Sequence, residues 1–91
     1  MDSKPTCKEY SDGTKIWYLN GKLHREDGPA IERADGTKEW YLNGKRHRED
    51  GPAVEYPNGS KEWWLNGKLV SPKDLVEQGY MTEGDLMLYF L

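Results

Sequence analysis

Residues 11–33 laid over residues 34–56 agree at 18 of 23 positions, and a shortened third copy runs from Pro57 to about Val70. A chain that repeats itself at so short a period must build one small unit several times and bury the sticky side of each against its neighbours. Trp17, Trp40 and Trp63 mark the period, as do Asn20-Gly21, Asn43-Gly44 and Asn66-Gly67. Glu9-Tyr10 ahead of Ser11-Asp12-Gly13 matches Glu55-Tyr56 ahead of Pro57-Asn58-Gly59. Half a unit therefore precedes the first full one, and its strand is expected to start near Thr6.

Each unit alternates short extended stretches with turn signals. Lys38-Glu39-Trp40-Tyr41-Leu42 is rich in rings and stops at Asn43-Gly44, a pair that tolerates positive φ and suits a two-residue type I′ hairpin. Such a turn sets Leu42 opposite Lys45, Tyr41 opposite Arg46 and Trp40 opposite His47. Trp40, Leu42 and His47 then share one face. Periodicity extends that face to a row of Trp17, Trp40 and Trp63 with Leu19, Leu42 and Leu65 beside it, while Tyr18, Tyr41 and Trp64 take the other. Arg48-Glu49-Asp50-Gly51-Pro52 is too polar and too broken by Gly and Pro for a central strand, so it reads as a loop or bulged edge. Ala53-Val54-Glu55-Tyr56 resumes the strand. At the Asp-Gly end a two-residue loop would put Glu32 against Glu39, whereas a three-residue loop puts Glu32 against Lys38, and charge favours the second register.

The expected fold is mainly β: an antiparallel meander of 23-residue hairpin repeats over residues 6–70, closed by a short helical cap over residues 71–91, in one domain spanning 1–91. A sheet with one sticky face needs that cover. Ser71-Pro72-Lys73-Asp74 carries an N-cap serine, a proline at the first helical position and an acid at the third, with Gly79 placed to end a helix running from Pro72 to Gln78. Thr82-Glu83-Gly84-Asp85 repeats the cap pattern ahead of Leu86-Met87-Leu88-Tyr89-Phe90-Leu91, the most apolar run of the chain, which reads as a second helix in preference to a terminal strand. Leu, Ile, Val and Phe number only 15, but four Trp and six Tyr supply large buried areas per residue.

Several classes are excluded or disfavoured. No run of 18 apolar residues exists, so no membrane-spanning helix is expected. Met1-Asp2-Ser3-Lys4 lacks the apolar stretch of a secretory signal, and the expected location is the cytoplasm. The single cysteine, Cys7, excludes an internal disulfide and a Cys-based zinc cage. The net charge of −3 conceals a split: residues 11–70 hold ten basic and ten acidic side chains, residues 71–91 one basic and four acidic. Nothing in this balance points to nucleic acid.

The Asp-Gly start, the aromatic strand and the Asn-Gly-Lys-x-His stretch at this period resemble MORN-type repeats and the looser MORN variants of bacterial antitoxin-like proteins. The wording Trp-Tyr-Leu-Asn-Gly-Lys-x-His-Arg-Glu-Asp-Gly-Pro-Ala, over about residues 6–70, is similar to repeats in proteins of bacteriophages and large DNA viruses. A standard MORN unit places one residue between its Trp and Asn-Gly, where this chain has Tyr41 and Leu42. The resemblance implies stacked hairpins used as a contact surface without catalysis, and inhibitory binding to a host protein.

His24-Arg25-Glu26-Asp27 and its copy His47-Arg48-Glu49-Asp50 bring imidazole next to two carboxylates, the material of a metal site or of acid–base chemistry. Duplication argues for structure, since a repeat copies whatever its fold requires. The expectation is no metal, no cofactor and no enzyme activity, with His packed on Trp across the hairpin and Asp holding local backbone N–H groups. Lys15, Lys38 and Lys61 form one row and Lys22, Lys45 and Lys68 another, but Glu32, Glu39, Glu55 and Glu62 lie among them, as on a solvated face with cross-strand ion pairs. The leading function is protein binding through Glu77, Tyr80, Glu83, Asp85, Tyr89 and Phe90, where acids surround apolar side chains; the partner is a host protein, with a second copy of the chain as a further occupant. The alternative is capture of a nucleotide or other anionic small molecule in a groove formed by Trp17, His24, Trp40, Lys45, His47 and Trp63.

Overall fold

Three Asn-Gly turns set the geometry. In the computed structural model, which describes residues 4–89, Asn20, Asn43 and Asn66 have φ of 52°, 52° and 50°, and the glycines after them 78°, 81° and 81°. Two successive positive φ values make the type I′ turn, whose twist matches that of the flanking strands. The strands are β1 (Thr6–Glu9), β2 (Lys15–Leu19), β3 (Lys22–Leu23), β4 (Ile31–Glu32), β5 (Lys38–Glu39), β6 (Tyr41–Leu42), β7 (Lys45–Arg46), β8 (Val54–Glu55), β9 (Lys61–Leu65) and β10 (Lys68–Val70). The antiparallel sheet runs β1-β2-β4-β5-β8-β9-β10, with β3 paired to β2, and β6 and β7 pair with each other.

The Asp-Gly ends take the three-residue register. Arg33 N–H donates to the Thr37 carbonyl at 2.9 Å and Gly36 N–H to the Arg33 carbonyl at 3.0 Å, which sets Glu32 against Lys38 and Ile31 against Glu39. Glu9, Lys15, Glu32, Lys38, Glu55 and Lys61 consequently lie opposite one another strand after strand with alternating sign. That row replaces like-charge repulsion with attraction across each pair.

The Arg-Glu-Asp-Gly-Pro stretch is a loop inserted into one strand. Trp17 N–H donates to the Ala30 carbonyl at 2.8 Å while His24 N–H donates to the Trp17 carbonyl at 3.1 Å, so residues 24 and 30 flank the same tryptophan and 25–29 bulge out. Trp40 repeats this with Ala53 at 2.7 Å and His47 at 3.1 Å. Successive units join through Gly44 N–H to the Leu23 carbonyl and Gly67 N–H to the Arg46 carbonyl, both 2.8 Å.

Two helices, α1 (Pro72–Glu77) and α2 (Glu83–Met87), complete the chain, each opened by a capping box. Ser71 N–H donates to the Asp74 carboxylate at 3.0 Å and Asp74 N–H to Ser71 Oγ at 3.3 Å; Thr82 and Asp85 form the same reciprocal pair. Leu75 is fully buried and packs with Met81 onto Trp63 and Leu65, with Val70, Val76, Leu86 and Tyr89 around them. The cap therefore covers the third unit alone, not the whole tryptophan face. Of the apolar run after Asp85, Leu86 and Tyr89 are partly buried, whereas Met87 and Leu88 are 61% and 69% exposed; Phe90 and Leu91 lie outside the described residues. No helix among the described residues is long and apolar enough to cross a membrane.

Candidate functional site

Trp17, Trp40 and Trp63 do share one face, but each is separated from the next by a strand carrying Ala30 or Ala53. Two strand spacings hold them about 10 Å apart. What covers the first two rings is arginine: the guanidinium carbon of Arg25 lies 3.9 Å from the Trp17 ring centre and that of Arg48 4.0 Å from Trp40. Each arginine also ties its loop shut. Arg48 Nε donates to Asp50 at 3.0 Å, and its Nη1 donates to the Pro52 carbonyl and to Glu55, both at 3.0 Å. Arg25 does the same with Asp27, Pro29 and Glu32 at 3.0, 3.2 and 3.1 Å. Asp27 and Asp50 thus serve arginine and not the local backbone; Asp12 and Asp35 hold the backbone N–H groups of Thr14 and Thr37, which lower both carboxyls below their usual range. A side chain at Gly51 would run into Tyr89 Oη and the Arg48 guanidinium, which is why the loop needs glycine there.

The histidines link one unit to the next. His24 Nδ1 accepts from Asn43 N–H at 3.0 Å and His47 Nδ1 from Asn66 N–H at 2.9 Å, which places the ring hydrogen on Nε2. Those Nε2 atoms face Glu26 at 3.4 Å and Glu49 at 3.0 Å. Among the described residues no three His, Cys, Asp or Glu side chains converge as ligands for a metal ion.

Between the two arginine loops lies an open groove of about 740 Å³, floored by Trp40 and Leu42, flanked by Arg25 to Pro29 on one side and His47 to Asp50 on the other, and reaching Tyr80 beyond α1. Of the side chains expected to form an anion-binding groove, Trp40 and His47 line it. Trp17 sits under Arg25, Trp63 under the cap with Tyr89 edge-on at 6.3 Å, His24 is buried against the next turn, and the Lys45 stem lies over Gly67. Of the expected protein-binding residues, Tyr80 is exposed at the end of the groove and Glu77 and Glu83 are exposed on the cap. Asp85 is exposed but committed to the α2 capping box. Tyr89 turns inward, its hydroxyl donating to the Asp50 carbonyl at 3.2 Å, and Phe90 lies outside the described residues.

The opposite face holds a group that sequence reasoning placed on a solvated row. Glu39, 3% exposed, accepts from Arg33 at 2.8 Å, Arg46 at 3.2 Å and the Tyr41 hydroxyl at 3.1 Å. Burial pushes its carboxyl up, but the hydrogen bonds from Arg33 and Arg46, joined by Tyr41, outweigh it and hold the group below the usual glutamate value. Arg46 also lies 5.0 Å over the Trp64 ring. The signal for this knot was present in the register: Glu39 is opposite both Ile31 and Val54, so an acid there has to bring its own partners. Comparison with protein-family models, curated proteins and solved structures found no match to the chain.

Proposed function

We propose that this chain is a small non-catalytic protein-interaction module. The observation that carries the reading is the internal use of its chemistry: both arginines, both histidines and their carboxylates on the tryptophan face are bonded within or between units, and both units spend them in the same way. What stays outward is contact surface. Tyr80, Met87 and Leu88 are 41%, 61% and 69% exposed on a cap that also displays Glu77 and Glu83. Large apolar side chains among single-sign charges provide anchors and steering for a protein partner. The phage- and virus-like wording of the repeat extends the proposal to a host protein as partner, inhibition as outcome and the host cytoplasm as the place.

The reading is tested by capture with the wild-type chain and with Met87→Ser/Leu88→Ser, whose changes fall on exposed side chains. A stoichiometric protein retained by the first and lost by the folded variant supports it. Retrieval of a small molecule alone favours the alternative of a ligand-binding sheet.

A further inference from the structure

We propose that the groove between the two arginine loops is the docking site for an extended, lysine- or arginine-bearing segment of a protein partner. This deepens the interaction reading and rests on it. The charge of the groove is set by what the arginines leave over. Arg25 and Arg48 are 22% and 19% exposed at the side chain and each bonds two carboxylates, whereas Glu26, Asp27, Glu49 and Asp50 are 80%, 87%, 55% and 83% exposed. Each of these four acids spends one oxygen inside its own loop and keeps most of its surface in solvent. The guanidiniums face inward over tryptophan and the carboxylates face outward. A phosphate or nucleic acid would meet that rim as like charge, so the same geometry disfavours the anionic ligand.

The floor completes the match. Trp40 and Leu42 are half-buried at the bottom of the groove, and Tyr80 closes one end. Lysine and arginine carry methylene stems that lie along apolar surface while their heads reach for carboxylates, which is the sequence of surfaces met on going from floor to rim. Low-dielectric walls lined by one sign of charge concentrate the field inside a cleft. The loops are pre-shaped, each tied by three arginine bonds, so little ordering opposes binding.

The test uses the full chain, ¹⁵N-labelled, titrated at low salt with a short peptide alternating arginine and leucine and with its counterpart in which glutamate replaces arginine. Saturable shifts at residues 25–29, 40–42, 47–50 and 80 with the basic peptide only are expected. Glu26→Gln/Glu49→Gln should weaken that binding about tenfold, and the control Glu77→Gln/Glu83→Gln by less than about twofold. Glu26→Gln alone, at a side chain in contact only with His24, keeps the comparison readable where the change at Glu49 disturbs His47; it should weaken binding about threefold. Equal weakening by groove and cap variants assigns the attraction to net charge and overturns the groove, as do shifts spread over the sheet or equal binding of the acidic peptide. Failure of the peptide with partner capture intact removes the groove alone; failure of both removes the interaction module.

Discussion

Trp40 and Trp63 occupy the same place in successive units and are protected by different means. Counting 23 residues on from His47 and Arg48 reaches Val70 and Ser71. Where Arg48 folds back over Trp40, Ser71 instead caps α1, and the helix delivers Leu75, Met81 and Tyr89 onto Trp63. Where His47 holds the next Asn-Gly turn, Val70 has no such turn to hold and packs against the cap. An inner unit can cover its ring with one charged side chain because its neighbours bury the rest. The last unit has a neighbour on one side only and needs apolar area from elsewhere.

Removing a side chain from each solution should therefore have unequal effects. Leu75→Ala empties the centre of the cap, and in so thin a core it should cost about 3 kcal/mol. Urea denaturation followed by tryptophan emission would show it; an unchanged midpoint would mean that the helices do not hold the third unit. Arg48→Ala strips the cover from Trp40 and leaves Asp50, Glu55 and the Pro52 carbonyl without their shared donor, at about 2 kcal/mol. Arg48→Lys should recover little of it, since one ammonium cannot cover the ring and reach three acceptors together. A lysine variant as stable as wild type would show that charge alone suffices there.

Glu39 sharpens the contrast on the other face, because its knot of charges belongs to the middle unit: the matching positions are Ile16 and Glu62. Glu39→Gln should cost about 1–2 kcal/mol at neutral pH. The folded-state carboxyl lies below the usual 4.5, so its contribution is present above that value and fades as the pH falls through the lowered one. Wild type and variant should accordingly converge in urea midpoint on acidification below pH 4.5. A gap independent of pH would show that the ionised form is not what stabilises the knot. The smallest effect is expected at the shared turn: Gly44→Val should cost about 1 kcal/mol, from a β-branched residue forced to positive φ, since Lys22 leaves room at ordinary contact distance. Gly67→Val should match it, and unequal melting shifts would show that the two turns differ despite the repeat.

Much of the fold was legible because its determinants are local. Asn-Gly pairs prescribe positive φ, the pairing of Glu32 with Lys38 and not Glu39 chooses the loop length, and Ser71-Pro72-Lys73-Asp74 spells a helix start. The candidate site was less legible. Trp40 and His47 were placed on one face, yet the groove they line depends on two loops 23 residues apart and on Tyr80, none of which pairs with the others along a strand. Asp85 and Tyr89 looked like surface because an acid and a ring in a polar stretch give no sign of whether they turn toward a cap or a core.

By itself the sequence determined the period, the turns, the register and the alternating row of charges, all of which follow from backbone sterics and from residues directly opposite one another. Only the tertiary structure decided what covers each tryptophan, that His24 and His47 reach across 19 residues to the next turn, and that Glu39 is buried with two arginines. Those outcomes depend on how a five-residue loop closes and how units stack. The same Arg, His or Glu is equally at home in water until a neighbouring strand removes the solvent around it.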